Sequence, residues 1–209
     1  MNEHAAPAIP LSALRGRGIG ILVCAIFAAL WAIWARPLLA GTAAAWVWAA
    51  ALIVAAVSGV LLLAGATMIR RGRRLSQATG MGDTAPRPMR HRFMLVLVAE
   101  IMALNIAAYF FIGHHMAQYL APAMAVIVGL HFLPLAQIFR APHFFATAVV
   151  ITLAGIVAAA AMATGSHAVT ANGIVDMVCA VALWGTGFVS WRGLRMAASG
   201  DATTAIRSA

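Results

Sequence analysis

Two residues in this chain could handle a proton, and both lie inside long apolar stretches: Glu100 and His131. Imidazole titrates near neutral pH, and a carboxyl withdrawn from water is pushed toward the same range. Together they could share a proton, hold a small ligand, or fix the register of two helices. A carboxylate alone in an apolar setting would be expensive, so each is a candidate partner for the other. Pro134 stands three residues past His131. It lacks an amide donor and crowds the carbonyl of Leu130, which frees an acceptor one residue from the imidazole. Asn105 and Gln137 add polarity on the same two stretches.

Their levels can be compared by counting. Glu100 is eight residues beyond Arg92, or about 12 Å along a helix. His131 is nine residues before Arg140, or about 13.5 Å by the same rise. If the two stretches form an antiparallel hairpin through residues 113–118, acid and imidazole reach nearly the same height. The expectation is a polar centre of Glu100, His131, Pro134 and Asn105 inside a helical bundle.

Other chemistries find less material. Asp176 is a secondary candidate, read as close to the start of the last apolar stretch, where a carboxylate favours the helix N-terminus. His114 and His115 are adjacent, and adjacent residues do not share a helix face; a solvated turn is expected there. His91, His143 and His167 are read as loop residues. Cys24 and Cys179 show no disulfide or metal spacing and read as small apolar residues. Ser58 has no Gly-x-Ser-x-Gly setting. No metal motif, phosphate loop or matched haem ligand pair is present, so no enzyme activity, cofactor or metal is expected.

The elements that would position these groups are set by composition. The chain of 209 residues is 64% hydrophobic and 9% charged. A soluble domain carries about 25% charged residues, so lipid is the expected solvent. A membrane-crossing helix needs about 20 apolar residues. Six stretches meet that need, at about 18–35, 44–69, 93–112, 119–139, 144–164 and 173–191. The fold class expected is all-α, one domain of six transmembrane helices. The first stretch is longer than the apolar core of a secretory signal, so it is read as a retained span.

The charge pattern orients this bundle. The chain has no lysine, and Arg36 is the one arginine that falls on the far side of the alternation. Arg15, Arg17, Arg70, Arg71, Arg73, Arg74, Arg87, Arg90, Arg92, Arg140, Arg192, Arg195 and Arg207 all fall on the other. Basic loops stay cytoplasmic, which puts both termini inside. Trp31, Trp34, Trp46, Trp48, Tyr109 and Tyr119 gather at the predicted outer ends, and Trp191 at an inner one, where amphipathic rings favour the interface.

Residues 70–92 are read as a flexible loop, because Gly, Pro, Ser and Thr interrupt any helical pattern. Arg70, Arg71, Arg73, Arg74, Arg87, Arg90 and Arg92 would meet anionic lipid headgroups there. The net charge of +9 is therefore assigned to topology, and nucleic acid is not an expected partner. Residues 1–13 and 199–209 are read as disordered tails. Ala55 with Gly59, Gly185 with Gly187, and Ala158–Ala161 offer small residues for close helix packing.

The stretch Gly129-Leu130-His131-Phe132-Leu133-Pro134-Leu135-Ala136 resembles segments of small, uncharacterised bacterial multi-span membrane proteins. The resemblance implies a bacterial cytoplasmic membrane and no particular activity. The expectation from the residues is binding or transport of a small solute, proton-linked through Glu100 and His131. The alternative is a structural protein that touches a partner or lipid. Solute and oligomeric state stay open.

Overall fold

The computed structural model of the protein describes residues 11–40, 42–79, 87–139 and 141–207. Arg140 lies outside the described residues, as do the side chains of Arg15, Arg87, Arg90, Arg195 and Arg207. Every long element among the described residues is helical: α1 (Leu11–Trp34), α2 (Ala44–Thr79), α3 (Arg87–Gly113), α4 (Leu120–Phe139), α5 (Pro142–Ala163) and α6 (Ala168–Arg207). Short 3-10 turns at Arg36–Leu39 and Ala117–Tyr119 join α1 to α2 and α3 to α4. All six helices are long and apolar enough to cross a membrane.

The helices overrun the expected stretches. The supposed loop 70–92 is helical through Thr79 and again from Arg87. Its Arg, Leu, Gln and Ala residues are strong helix formers and outweigh Gly72 and Ser76; residues 80–86 lie outside the described residues. The expected tail 199–209 is likewise helical as far as Arg207. His143, read as a loop residue, is the second residue of α5, behind Pro142 at the first turn, where proline's missing donor costs nothing. α5 ends in a Schellman-type cap, with Gly165 at φ +101° and Ser166 N–H donating to Ala161 O at 3.0 Å. Glycine suits that left-handed position because it has no Cβ to clash. In the turn after α3, His115 takes φ +57°, a region histidine tolerates better than most residues.

In space the helices form a row in the order α2, α1, α6, α5, α4, α3. α6 also touches α2 and α4, while α3 packs principally against α4. The main core lies where α1, α4, α5 and α6 meet and includes Trp31, Ile151, Val175 and Cys179. A smaller one joins Ile21, Ala25, Leu61 and Met68. Trp31 stands in the last turn of α1, as expected, but its ring is buried in the core, whereas Trp34, Trp46, Trp48 and Tyr109 are exposed. Large apolar side chains such as Leu52, Leu63, Ile106 and Val157 stand on the outside.

Of the small residues the sequence suggested, Gly187 packs closely, where a Cβ would lie 3.2 Å from Leu61 Cδ1, and Ala158 is buried; the tightest approaches use other glycines. A Cβ at Gly59 or Gly185 would meet nothing. A Cβ on Gly129 would fall 2.7 Å from Thr152 N, and one on Gly155 would fall 2.6 Å from Pro122 O. These two positions let the α4 and α5 backbones touch, in the manner of small residues at membrane helix interfaces. Gly18 and Gly65 do the same for α1 and α2.

Candidate functional site

His131 sits on the α4 face that turns away from α5. Gly129, Phe132 and Leu135 are buried, and the imidazole is offered to α3. There Nδ1 of His131 contacts Oε2 of Glu100. The side chains are 12% and 15% exposed, so the pair is mostly shielded but not sealed. Such a contact can be made by imidazolium with carboxylate or by imidazole with carboxylic acid. The ring's Nε2 is a second place for a proton to bind.

Aromatic packing braces the pair from the α4–α5 side. Phe132 meets Phe144 edge-on at 5.8 Å between centroids, and Phe144 meets Phe139 at 6.0 Å. Phe139 in turn meets Phe93 of α3 at 6.1 Å. This chain of rings ties α3, α4 and α5 together one end away from the acid. Edge-to-face pairs of this kind add about 0.5–1.5 kcal/mol beyond their area.

Pro134 lies within α4, which runs unbroken to Phe139, and it is half-buried. The Leu130 carbonyl has no amide of residue 134 to accept from. Asn105 does not join the centre. It is exposed, and its Nδ2 donates to Ile101 O of its own helix at 2.7 Å. Five residues on from Glu100, it points about 140° around the helix from it, given 3.6 residues per turn. Gln137 is also exposed.

Asp176 does not stand at a helix end, where the sequence places it. α6 begins at Ala168, five residues earlier than the expected span, so Asp176 stands more than two turns inside. It is 4% exposed. Its Oδ1 is buried without a hydrogen-bond partner, as is Oδ1 of Asn172 one turn before it.

Hydroxyls link α6 to its neighbours, and the sequence did not reveal them. Thr147 and Thr186 hydrogen-bond across α5 and α6. One turn along, His143 Nε2 and Ser190 Oγ are 2.9 Å apart. Trp184 Nε1 donates to Ser58 Oγ at 3.0 Å, joining α6 to α2. Each hydroxyl also lies within reach of the carbonyl four residues back, His143 O for Thr147 and Ala182 O for Thr186; with one proton apiece, one threonine donates to its own helix and the other to its partner's hydroxyl. The signal was the four-residue spacing of His143 with Thr147 and of Thr186 with Ser190.

Cavities lie elsewhere in the bundle. One, of about 440 Å³, is an apolar groove between α5 and α6 beside Thr147 and Thr186. The second, about 390 Å³, is lined by Thr67, Met68, Arg70, Arg71, Arg74 and Trp191. The third, about 250 Å³, lies among Arg17, Phe139, His143 and Ser190. No group of three or more metal-binding side chains occurs among the described residues. His114 and His115 are exposed in the turn after α3. Set against models of protein families, against curated proteins and against solved structures, the chain matches none.

Proposed function

We propose that the chain is a multi-pass protein of a bacterial cytoplasmic membrane, with both termini cytoplasmic, and that Glu100–His131 is a protonatable centre for handling a small solute. The observation that carries this reading is an acid in contact with an imidazole between two helices that are otherwise apolar at that level. The exposed Leu52, Leu63, Ile106 and Val157 support the membrane, since water-facing surfaces rarely carry so many large apolar groups together. The arginines at the ends of α1, α2, α3 and α6 support the orientation.

α3 is the mobile partner in this reading. No residue of His91–Gly113 is fully buried, and α3 leans mainly on α4. Protonating Glu100 would replace an ion pair with a weaker contact and loosen α3 from α4. In proteoliposomes with an imposed pH gradient, solutes from a panel of amino acids, sugars and amines should evoke proton movement. Glu100→Gln should reduce that signal at least about a hundredfold, the lower end of what a positioned acid or base contributes. An undiminished signal in Glu100→Gln, or no signal from the wild type with any solute, would count against the reading.

A structural role is the second reading. It is favoured by the shielding of the pair, whose side chains are 12% and 15% exposed. In that case the contact only pins α3 to the bundle.

The partner proposed for the basic end is anionic lipid. Arg70, Arg71 and Arg74 line one cavity with Thr67 and Trp191, a setting suited to a phosphate diester. A spin-labelled anionic phospholipid should be immobilised by the wild type. The Arg70→Gln/Arg71→Gln/Arg74→Gln variant should immobilise it no more than a zwitterionic lipid; equal immobilisation by both proteins would exclude the site.

A further inference from the structure

Two of the cavities adjoin. The apolar groove between α5 and α6 shares two wall residues, His143 and Val189, with the smaller cavity near the starts of α1 and α5. An elongated molecule can therefore run from one to the other past those two side chains. The groove opens sideways, since Val150, Val181 and Val189 in its wall are exposed. α6 lines it from Met177 to Val189, twelve residues or about 18 Å. One leaflet of a bilayer's hydrocarbon core is about 15 Å deep, half of the whole. The hydroxyls in the groove wall, Thr147 and Thr186, are turned to each other.

The smaller end is cationic. Arg17, His143 and Ser190 line it. Arg17 is near enough to the imidazole to act on it electrostatically, and Ser190 Oγ is 2.9 Å from His143 Nε2. Among the described side chains the acids are Glu100, in contact with His131, and Asp176. The latter is fourteen residues from Ser190 along α6, or about 21 Å. A guanidinium, a hydroxyl and an imidazole lining one cavity, with no acid among them, suit an anion.

Glycines keep both ends open. Gly16, Gly20 and Gly193 line the cationic cavity and Gly185 lines the groove. A Cβ on any of the four would meet nothing. Glycine weakens a helix, and here no closer helix approach is gained in return; what the four positions leave is room.

We propose that this recess binds one anionic phospholipid, with the phosphate at Arg17 and Ser190 and one acyl chain along the α5–α6 groove. A zwitterionic headgroup would bring an ammonium to Arg17 with no acid to receive it; phosphatidylglycerol brings none. The site is distinct from the cavity at Arg70, Arg71 and Arg74. It rests on the reading of the chain as a membrane protein, and not on Glu100–His131.

The test uses phosphatidylglycerol and phosphatidylcholine carrying the same diazirine-bearing acyl chain. Each is added as a trace to phosphatidylcholine vesicles that hold the full-length protein. After illumination, mass spectrometry locates the crosslinks by residue. Yields are taken relative to Leu63, which is exposed on α2 and serves as the reference for surrounding lipid. The anionic probe should label Val150, Val181 and Val189 about fivefold more than the zwitterionic one, equivalent to the ~1 kcal/mol of one arginine near anionic lipid. Arg17→Gln should abolish that preference. Gly185→Leu, whose side chain enters open space, should lower anionic labelling of Val150 and Val181 to the zwitterionic level. Equal labelling by the two probes, as for lipid that merely surrounds the bundle, would overturn the proposal. So would a preference that survives Arg17→Gln, or no labelling of these residues, as when a second copy of the chain fills the groove. If a variant fails to fold, the two-probe comparison on the wild type decides. A protein that does not float with the vesicles would overturn the membrane reading and the site together; one that floats but shows no preference overturns the site alone.

Discussion

Gly155→Val should be among the most damaging single substitutions in the bundle, costing about 3 kcal/mol or more, at the upper end of what overpacking does. The Cβ alone would fall 2.6 Å from Pro122 O and 3.0 Å from Val126 N. Both are backbone atoms, so no side-chain rotation relieves the clash. α4 must move away from α5, and the packing of Phe132 and Phe139 on Phe144 moves with it. Unfolding in mixed detergent, followed by tryptophan fluorescence or helical signal, would read the loss. Gly59→Val is the control, because a Cβ there meets nothing, and it should change stability by less than about 0.5 kcal/mol. Equal effects at the two positions would refute the close α4–α5 approach.

The second large effect is expected at the acid–imidazole contact. Removing one partner of a buried pair leaves the other without compensation, which costs about 3–5 kcal/mol when burial is complete. Here the side chains are 12% and 15% exposed, so about 2 kcal/mol for Glu100→Gln or for His131→Ala is the more suitable expectation. The double variant should cost less than the sum of the singles by about 1–2 kcal/mol, because the second change removes a group already orphaned. Additive losses would mean that the two side chains act independently. Asn105→Ala and Gln137→Ala, on the exposed side, should fall within about 0.5 kcal/mol of the wild type.

What could be read from residues alone divides along a physical line. Quantities that depend on distance along the chain were legible. The six helical stretches follow from runs of apolar residues, and the equal heights of Glu100 and His131 follow from counting to the flanking arginines. Quantities that depend on rotation about a helix axis were not. Asn105 belongs to the same helix as Glu100 yet faces outward, and Trp31 turns into the core rather than toward an interface. In helices apolar on every side, no polar stripe marks the inward face.

Helix ends form a third class. α6 begins at Ala168 because residues 168–172 are compatible with a helix although their hydropathy is unremarkable. That early start carries Asp176 from the supposed helix tip into the core. The same cause extends α2 through its arginines to Thr79. Close-packing glycines were hidden as well. Gly129 and Gly155 stand alone in their helices' contact faces, and only the partner backbone reveals their use.

The central claim is that these helices cross a membrane six times with every arginine but Arg36 on one side. Its most direct test is labelling of single cysteines by an impermeant maleimide, in a chain with Cys24 and Cys179 replaced by alanine. Cysteines would be placed by Ala5→Cys, Arg73→Cys, His114→Cys and Ser208→Cys. His114→Cys should react in intact cells, and the other three only after the membrane is permeabilised. Reaction of Ala5→Cys and Ser208→Cys from opposite sides, or of Arg73→Cys from outside, would contradict the threading.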